Sequence, residues 1–221
     1  LTFLYIAWRL PKVPSGGGFS PKKLPELLRH KGIMGLYLFT LLISSAIYVA
    51  YSYIEPFLKQ VSLMPDDWVT TALMVFGGAG LLGSIAFSKY YNRNRKLFIT
   101  VNVAAMALCL LLLYPVSSGF LPVIVLLAVW GATATAYNVA MQSNMILVTT
   151  PESTPVAMSI FSGIFNLGIG SGAFFGGAIC SDLSISYIGL AGGVLALIGL
   201  VYWVARLGNR IEPKDTLDKY L

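Results

Sequence analysis

The chain has 221 residues, of which 57% are hydrophobic and only 11% charged, with a formal net charge of +6. Soluble domains carry about 25% charged residues, so a water-surrounded globule of this size is excluded and the solvent is read as lipid. Long unbroken apolar runs fit membrane-spanning helices; the short alternating segments of a barrel are not found.

In chain order, residues 1–10 (LTFLYIAWRL) begin in mid-run. They lack the basic start and small-residue cleavage site of a signal peptide. They are read as the end of a transmembrane helix, and the chain as a fragment. Residues 11–32 form a linker rich in Pro and Gly. Its second half, LPELLRHK, is either a short helix on an anionic membrane surface or a solvated basic loop.

A six-helix bundle is expected over 33–207, with apolar runs near 33–54, 68–87, 97–116, 121–141, 156–179 and 185–205. At 1.5 Å per residue the first run reaches about 33 Å, enough to cross a bilayer. Residues 208–221 form a tail.

The basic residues set an orientation. Arg9, Lys12, Lys22, Lys23, Arg29 and Lys31 lie in the linker region; Lys89, Arg93, Arg95 and Lys96 in a middle loop; Arg206, Arg210, Lys214 and Lys219 at the end. If six helices alternate, every Lys and Arg except Lys59 falls on one side. By the positive-inside bias that side is cytoplasmic, including the C-terminus. The net charge is therefore an orientation signal, and no nucleic-acid partner is expected. Cys109 and Cys180 sit in separate apolar runs and are read as inert, without metal-ligand spacing. His30, the one histidine, lies in a loop, and no nucleophile–base pairing is present. Neither enzyme activity nor a cofactor is expected.

Two sets of three helices are expected. GGAGLLGS (Gly77–Ser84) and GIGSGAFFGG (Gly168–Gly177) interrupt the second helix of each set, a repeat signature of transporters. Gly80 with Ser84, and Gly168 with Gly172 and Gly176, form small faces. They are read as tight packing within the bundle or as a seam against another half.

Polar residues follow helical phase. Tyr37, Thr40, Ser44, Tyr48, Tyr51, Ser52 and Glu55 share one face of the first complete helix. Tyr53 is read as an interface anchor. Trp130, Thr133, Tyr137, Asn138, Met141 and Asn144 cluster on the fourth run, with Gln142 at the margin. Asn166 lies among Phe161, Phe165 and glycines.

Such stripes are costly in lipid and face a partner helix or an aqueous cavity. Hydroxyls, amides and aromatic faces with almost no charge suit a neutral or amphiphilic, polyhydroxylated ligand, of which a small neutral sugar is one kind. Ser44, Tyr48, Tyr51, Ser52, Tyr137, Asn138, Gln142 and Asn166 are the candidate substrate-binding residues. Glu55, before Pro56, is the candidate proton or gating group. It is read either as a carboxylate buried at a helix end or as one solvated at the outer rim.

AYSYIEPF (Ala50–Phe57), LMVFGGAGLLGSIAFSK (Leu73–Lys89) and AMSIFSGIFNLGIGSGAFFGG (Ala157–Gly177) resemble the C-terminal half of bacterial sugar efflux transporters. These belong to the drug/proton antiporter branch of the major facilitator superfamily. The resemblance spans about 20–206. It implies an all-α membrane fold of twelve helices in two six-helix bundles, with substrate between them and lipid around them. Residues 1–10 become the end of helix six. Helices seven and ten line the cavity, and helices eight and eleven pack on the N-terminal half through Gly80, Ser84, Gly168, Gly172 and Gly176. It also implies export of arabinose-like sugars and thiogalactosides across the bacterial inner membrane, by proton antiport and alternating access. KYYNRNRK departs from the Gly-Asp-Arg loop of the superfamily, because the Gly and Asp are missing. The alternative functions are a broad-specificity drug/proton antiporter and a non-transporting membrane scaffold.

Overall fold

The computed structural model describes residues 24–208. The expected helix end at 1–10, most of the 11–32 linker and all of the tail beyond Gly208 lie outside the described residues. Every described element is helical. The LPELLR stretch forms α1 (Leu24–Arg29), with Leu27 buried in the core. Then come α2 (Lys31–Tyr51), α3 (Ile54–Gln60), α4 (Asp66–Tyr90), α5 (Arg95–Leu112), α6 (Phe120–Leu147), α7 (Thr154–Asp182) and α8 (Ile188–Tyr202). A 3₁₀ turn (Ile185–Tyr187) precedes α8 and a π turn (Trp203–Leu207) follows it. Among the described residues six spans, with α2 and α3 forming one of them, are long and apolar enough to cross a membrane.

Local sequence sets the helix ends. The His30 ring accepts from the Ile33 N–H at 3.3 Å and starts α2. Asn94 Oδ1 accepts from the Leu97 N–H at 2.8 Å and starts α5; such caps satisfy donors that have no partner inside the helix. Asp66 and Asp67 occupy the first turn of α4, where the helix dipole favours anions.

The apolar run expected at 33–54 is broken. α2 ends at Tyr51 and α3 begins at Ile54. Pro56 explains the position of the break. Its missing N–H cannot bond the Ser52 carbonyl four residues back, and its ring would clash there. Placed in the first turn of a new helix, the same ring costs little.

Packing pairs the two triplets, α2–α4–α5 and α6–α7–α8. α2 packs on α7 and α8; α6 packs on α4 and α5; α5 and α8 pack on each other. The first helix of each triplet thus takes the second and third helices of the other. A single triplet could not bury its first helix in this way, so the bundle needs both. α2 is the most enclosed helix, with Leu36, Phe39, Ile43 and Ala46 fully buried.

α2 and α7 run parallel, since Gly168 faces Ser44, Gly172 faces Ser45 and Gly176 faces Val49. Two phenols fasten the ends of this seam. Tyr37 OH donates to the Ala157 carbonyl and Tyr53 OH to the Ala173 carbonyl, each at 3.0 Å. Ser45 and Ser171 hydroxyls meet between them at 2.8 Å. Tyr53 is therefore a helix–helix fastener rather than an interface anchor. A net hydrogen bond contributes about 1 kcal/mol. Tyr37→Phe and Tyr53→Phe should each lower stability by about that amount and should add in the double variant, because the two sites share no partner. Thermal unfolding in detergent checks this.

Candidate functional site

α2, α4, α6 and α7 enclose a cleft of about 270 Å³ on one face of the bundle. α2 contributes Ile47, Tyr48 and Tyr51; α4 Phe76 and Gly77; α6 residues from Gly131 to Val139; α7 Phe165. None of the lining side chains is charged.

Aromatic rings join across the four helices. Tyr51 stacks on Phe76 with ring centres 5.0 Å apart. Tyr48 meets Tyr51 edge-on at 5.6 Å and Phe165 at 6.3 Å. Trp130, fully buried, backs Phe76 at 5.3 Å and Tyr51 at 6.3 Å. Edge-on and offset contacts of this kind add about 0.5–1.5 kcal/mol each beyond area burial. The wall is consequently stiff and pre-shaped.

The polar part is carried by α6. Asn138 lines the cleft, and its side-chain oxygen accepts from Gln142 Nε2 one turn on. Tyr137 also contributes, although it is almost wholly buried. Its hydroxyl lies beside Thr40, yet neither hydroxyl has a partner in hydrogen-bond geometry, nor does Trp130 Nε1.

Of the eight candidate binding residues, Tyr48, Tyr51, Tyr137 and Asn138 line this cleft and Gln142 is bonded to it. Three do not reach it. Ser44 is buried, donates to the Thr40 carbonyl at 2.6 Å and sits against Gly168. The cause is the enclosure of α2: the lower part of its polar face meets α7, and only its last turns open outward. Ser52 is exposed at the helix break. Asn166 is exposed and donates to the Ser162 carbonyl of its own helix at 2.8 Å.

Sequence phase missed Phe76, Thr135, Val139 and Phe165. Phe165 adjoins the chosen Asn166, and one residue along a helix is a turn of about 100°. Phe76 carried no signal, because an aromatic within an apolar run is indistinguishable from a lipid-facing one. The Trp130–Asn144 stripe largely points inward. Tyr91 OH donates to Asn144 Oδ1 at 3.0 Å, and Thr133 donates to its own helix at Val129.

The small-residue assignments also change. A side chain added at Gly80 would meet Thr135 of α6, and Gly168, Gly172 and Gly176 abut α2. These glycines serve contacts inside the bundle. Ser84 is exposed and donates to the Gly80 carbonyl at 3.2 Å. Close approach is what glycine reports; it does not say which helix approaches. Space is open instead at Gly77, Gly78, Gly163 and Gly170.

Glu55 is exposed, so the burial weighed for it is not found. It lies in the first turn of α3, 3.0 Å from Lys59, which also reaches Asp66 at 3.1 Å. These three side chains border a second cleft, of about 380 Å³, at the end of the bundle opposite the Lys89–Lys96 loop. Exposed pairs of this kind are weak and screened by salt.

A family model described as the Major Facilitator Superfamily matches residues 95–219. The match covers α5 to α8 of the described residues, including the α6 wall of the cleft.

Proposed function

Since this chain belongs to the Major Facilitator Superfamily, whose members are transporters rather than enzymes, we propose that it is the C-terminal bundle of a secondary carrier that exports small neutral sugars. The observation that carries this reading is the uncharged cleft, with aromatic rings on α2, α4 and α7 and an amide pair on α6. A sugar ring has apolar C–H faces and a hydroxyl rim. Aromatic walls take the first, and amides and phenols pair with the second.

In this reading a six-helix N-terminal half closes over the cleft, and the two halves rock about the substrate. The open positions Gly77, Gly163 and Gly170, with Ser84, Ser159, Ser162 and Asn166 exposed beside them, support α4 and α7 as the helices it meets. Small residues facing lipid give up the close helix–helix packing that a partner bundle supplies. The basic loop Lys89–Lys96 faces the cytoplasm of a bacterial cell, and the carrier sits in the inner membrane. Protons drive export in this scheme. Among the described residues no carboxylate lines the cleft, so Glu55 at the outer end, or a group on the other half, takes the coupling role.

The aromatic wall also favours a second reading, a broad-specificity drug/proton antiporter, because flat apolar ligands stack on the same rings. Counterflow in vesicles holding the intact transporter separates the two. Labelled thiogalactoside should accumulate in exchange for unlabelled sugar, and a lipophilic cationic dye should not. Accumulation of dye alone replaces the sugar reading with the second; accumulation of neither removes transport of both kinds.

A further inference from the structure

Asn138 and Gln142 lie one turn apart on the open side of α6, with their amides bonded to each other. Whichever amide donates, the bond consumes one N–H and one carbonyl oxygen. It leaves one free NH₂ group and one free carbonyl oxygen side by side. Among the described residues neither side chain has another hydrogen-bond partner beyond this contact.

A single hydroxyl, which both donates and accepts, satisfies both groups only by bridging between them. Two hydroxyls on neighbouring carbons satisfy both: one donates to the carbonyl, the other accepts from the NH₂. Tyr48 and Phe165, which meet edge-on, line the same cleft as Asn138. A ring seated there turns its C–H surface to the aromatics and its hydroxyl rim to the amides.

We propose that the Asn138–Gln142 pair reads two adjacent hydroxyls of a polyhydroxylated ring. Asn138 is the contact residue in the cleft, and Gln142 is a positioning residue that fixes which end of the Asn138 amide is available. The proposal rests on the carbohydrate reading above and adds the feature of the sugar that is recognised.

The test uses the intact transporter in vesicles, with methyl β-galactoside and its monodeoxy analogues competing in counterflow. Two analogues, lacking hydroxyls on neighbouring carbons, should compete about tenfold or more worse than the parent, since a site that bonds a hydroxyl rejects the ligand lacking it. In Gln142→Met, close to isosteric, that penalty should shrink to about twofold or less, because the Asn138 amide is then free to turn. Gln142→Glu, which offers acceptors only, should abolish the penalty at one of the two positions and keep it at the other. A merely structural Gln142 would change the amount of folded protein and leave the deoxy pattern untouched. An unchanged pattern in both variants, or a wild-type pattern without a neighbouring pair, overturns the proposal while leaving the sugar reading standing. Failure of every sugar to compete, with dye still accumulating, overturns both.

Discussion

Gly83→Ala should unfold the bundle several degrees below the wild-type melting temperature, whereas Gly78→Ala should melt with the wild type. An added carbon at Gly83 would collide with the Ala132 carbonyl oxygen, and one at Gly131 with that of Phe76. Non-bonded heavy atoms need about 3.5 Å. The obstacles are backbone atoms, so no rotamer change relieves them, and α4 and α6 must part by roughly 1 Å along their length. Overpacking that side chains can absorb costs about 1–3 kcal/mol. Moving two helices places Gly83→Ala at or above the upper end of that range. Gly78 has no atom within 4 Å of the added carbon, so its substitution removes nothing. Detergent-solubilised protein, heated and followed by size exclusion, gives both numbers. Equal melting of Gly83→Ala and wild type would mean that the two helices do not touch at this point.

Tyr51→Ala should raise the half-saturating sugar concentration in counterflow by about ten- to a hundredfold, the range expected for truncating a central aromatic contact. Tyr51 touches Tyr48, Phe76 and Trp130 at once. Its loss removes a stacking surface and lets the other rings relax from their shared geometry. Tyr51→Phe keeps the ring and should retain most of the affinity. Were Tyr51→Ala to saturate like the wild type, the aromatic wall would not hold the substrate, and the site would have to be sought elsewhere on the bundle.

The membrane character, the helix count and the triplet organisation were legible in residue order alone. Each depends on a one-dimensional quantity. Bilayer thickness fixes the length of an apolar run, and glycine clusters recur at matching places in the two triplets. The break before Ile54 was equally available in principle, since Pro56 carries its cause within four residues. An apolar run continues across it, so hydropathy alone does not mark it.

The candidate site was legible only in part. Tyr48, Tyr51 and Asn138, which helical phase singles out, line one cleft, because a polar side chain in lipid must turn toward something polar. Phase cannot say whether that something is a cavity or a neighbouring helix. Ser44 shares the phase of Tyr48, yet it ends against Gly168. Gly80, Gly168, Gly172 and Gly176 were legible as close-contact positions, while their partners, α6 and α2, were not.

By itself the sequence determined which segments are long and apolar enough to cross a membrane and which side of each helix carries hydroxyls and amides. Only the tertiary structure decided which of those groups share a cleft. The cross-pairing of the two triplets wraps α2 along most of its length and leaves its last turns open. A residue's surroundings are then set by helices remote in the chain, and no local pattern encodes the distance to them.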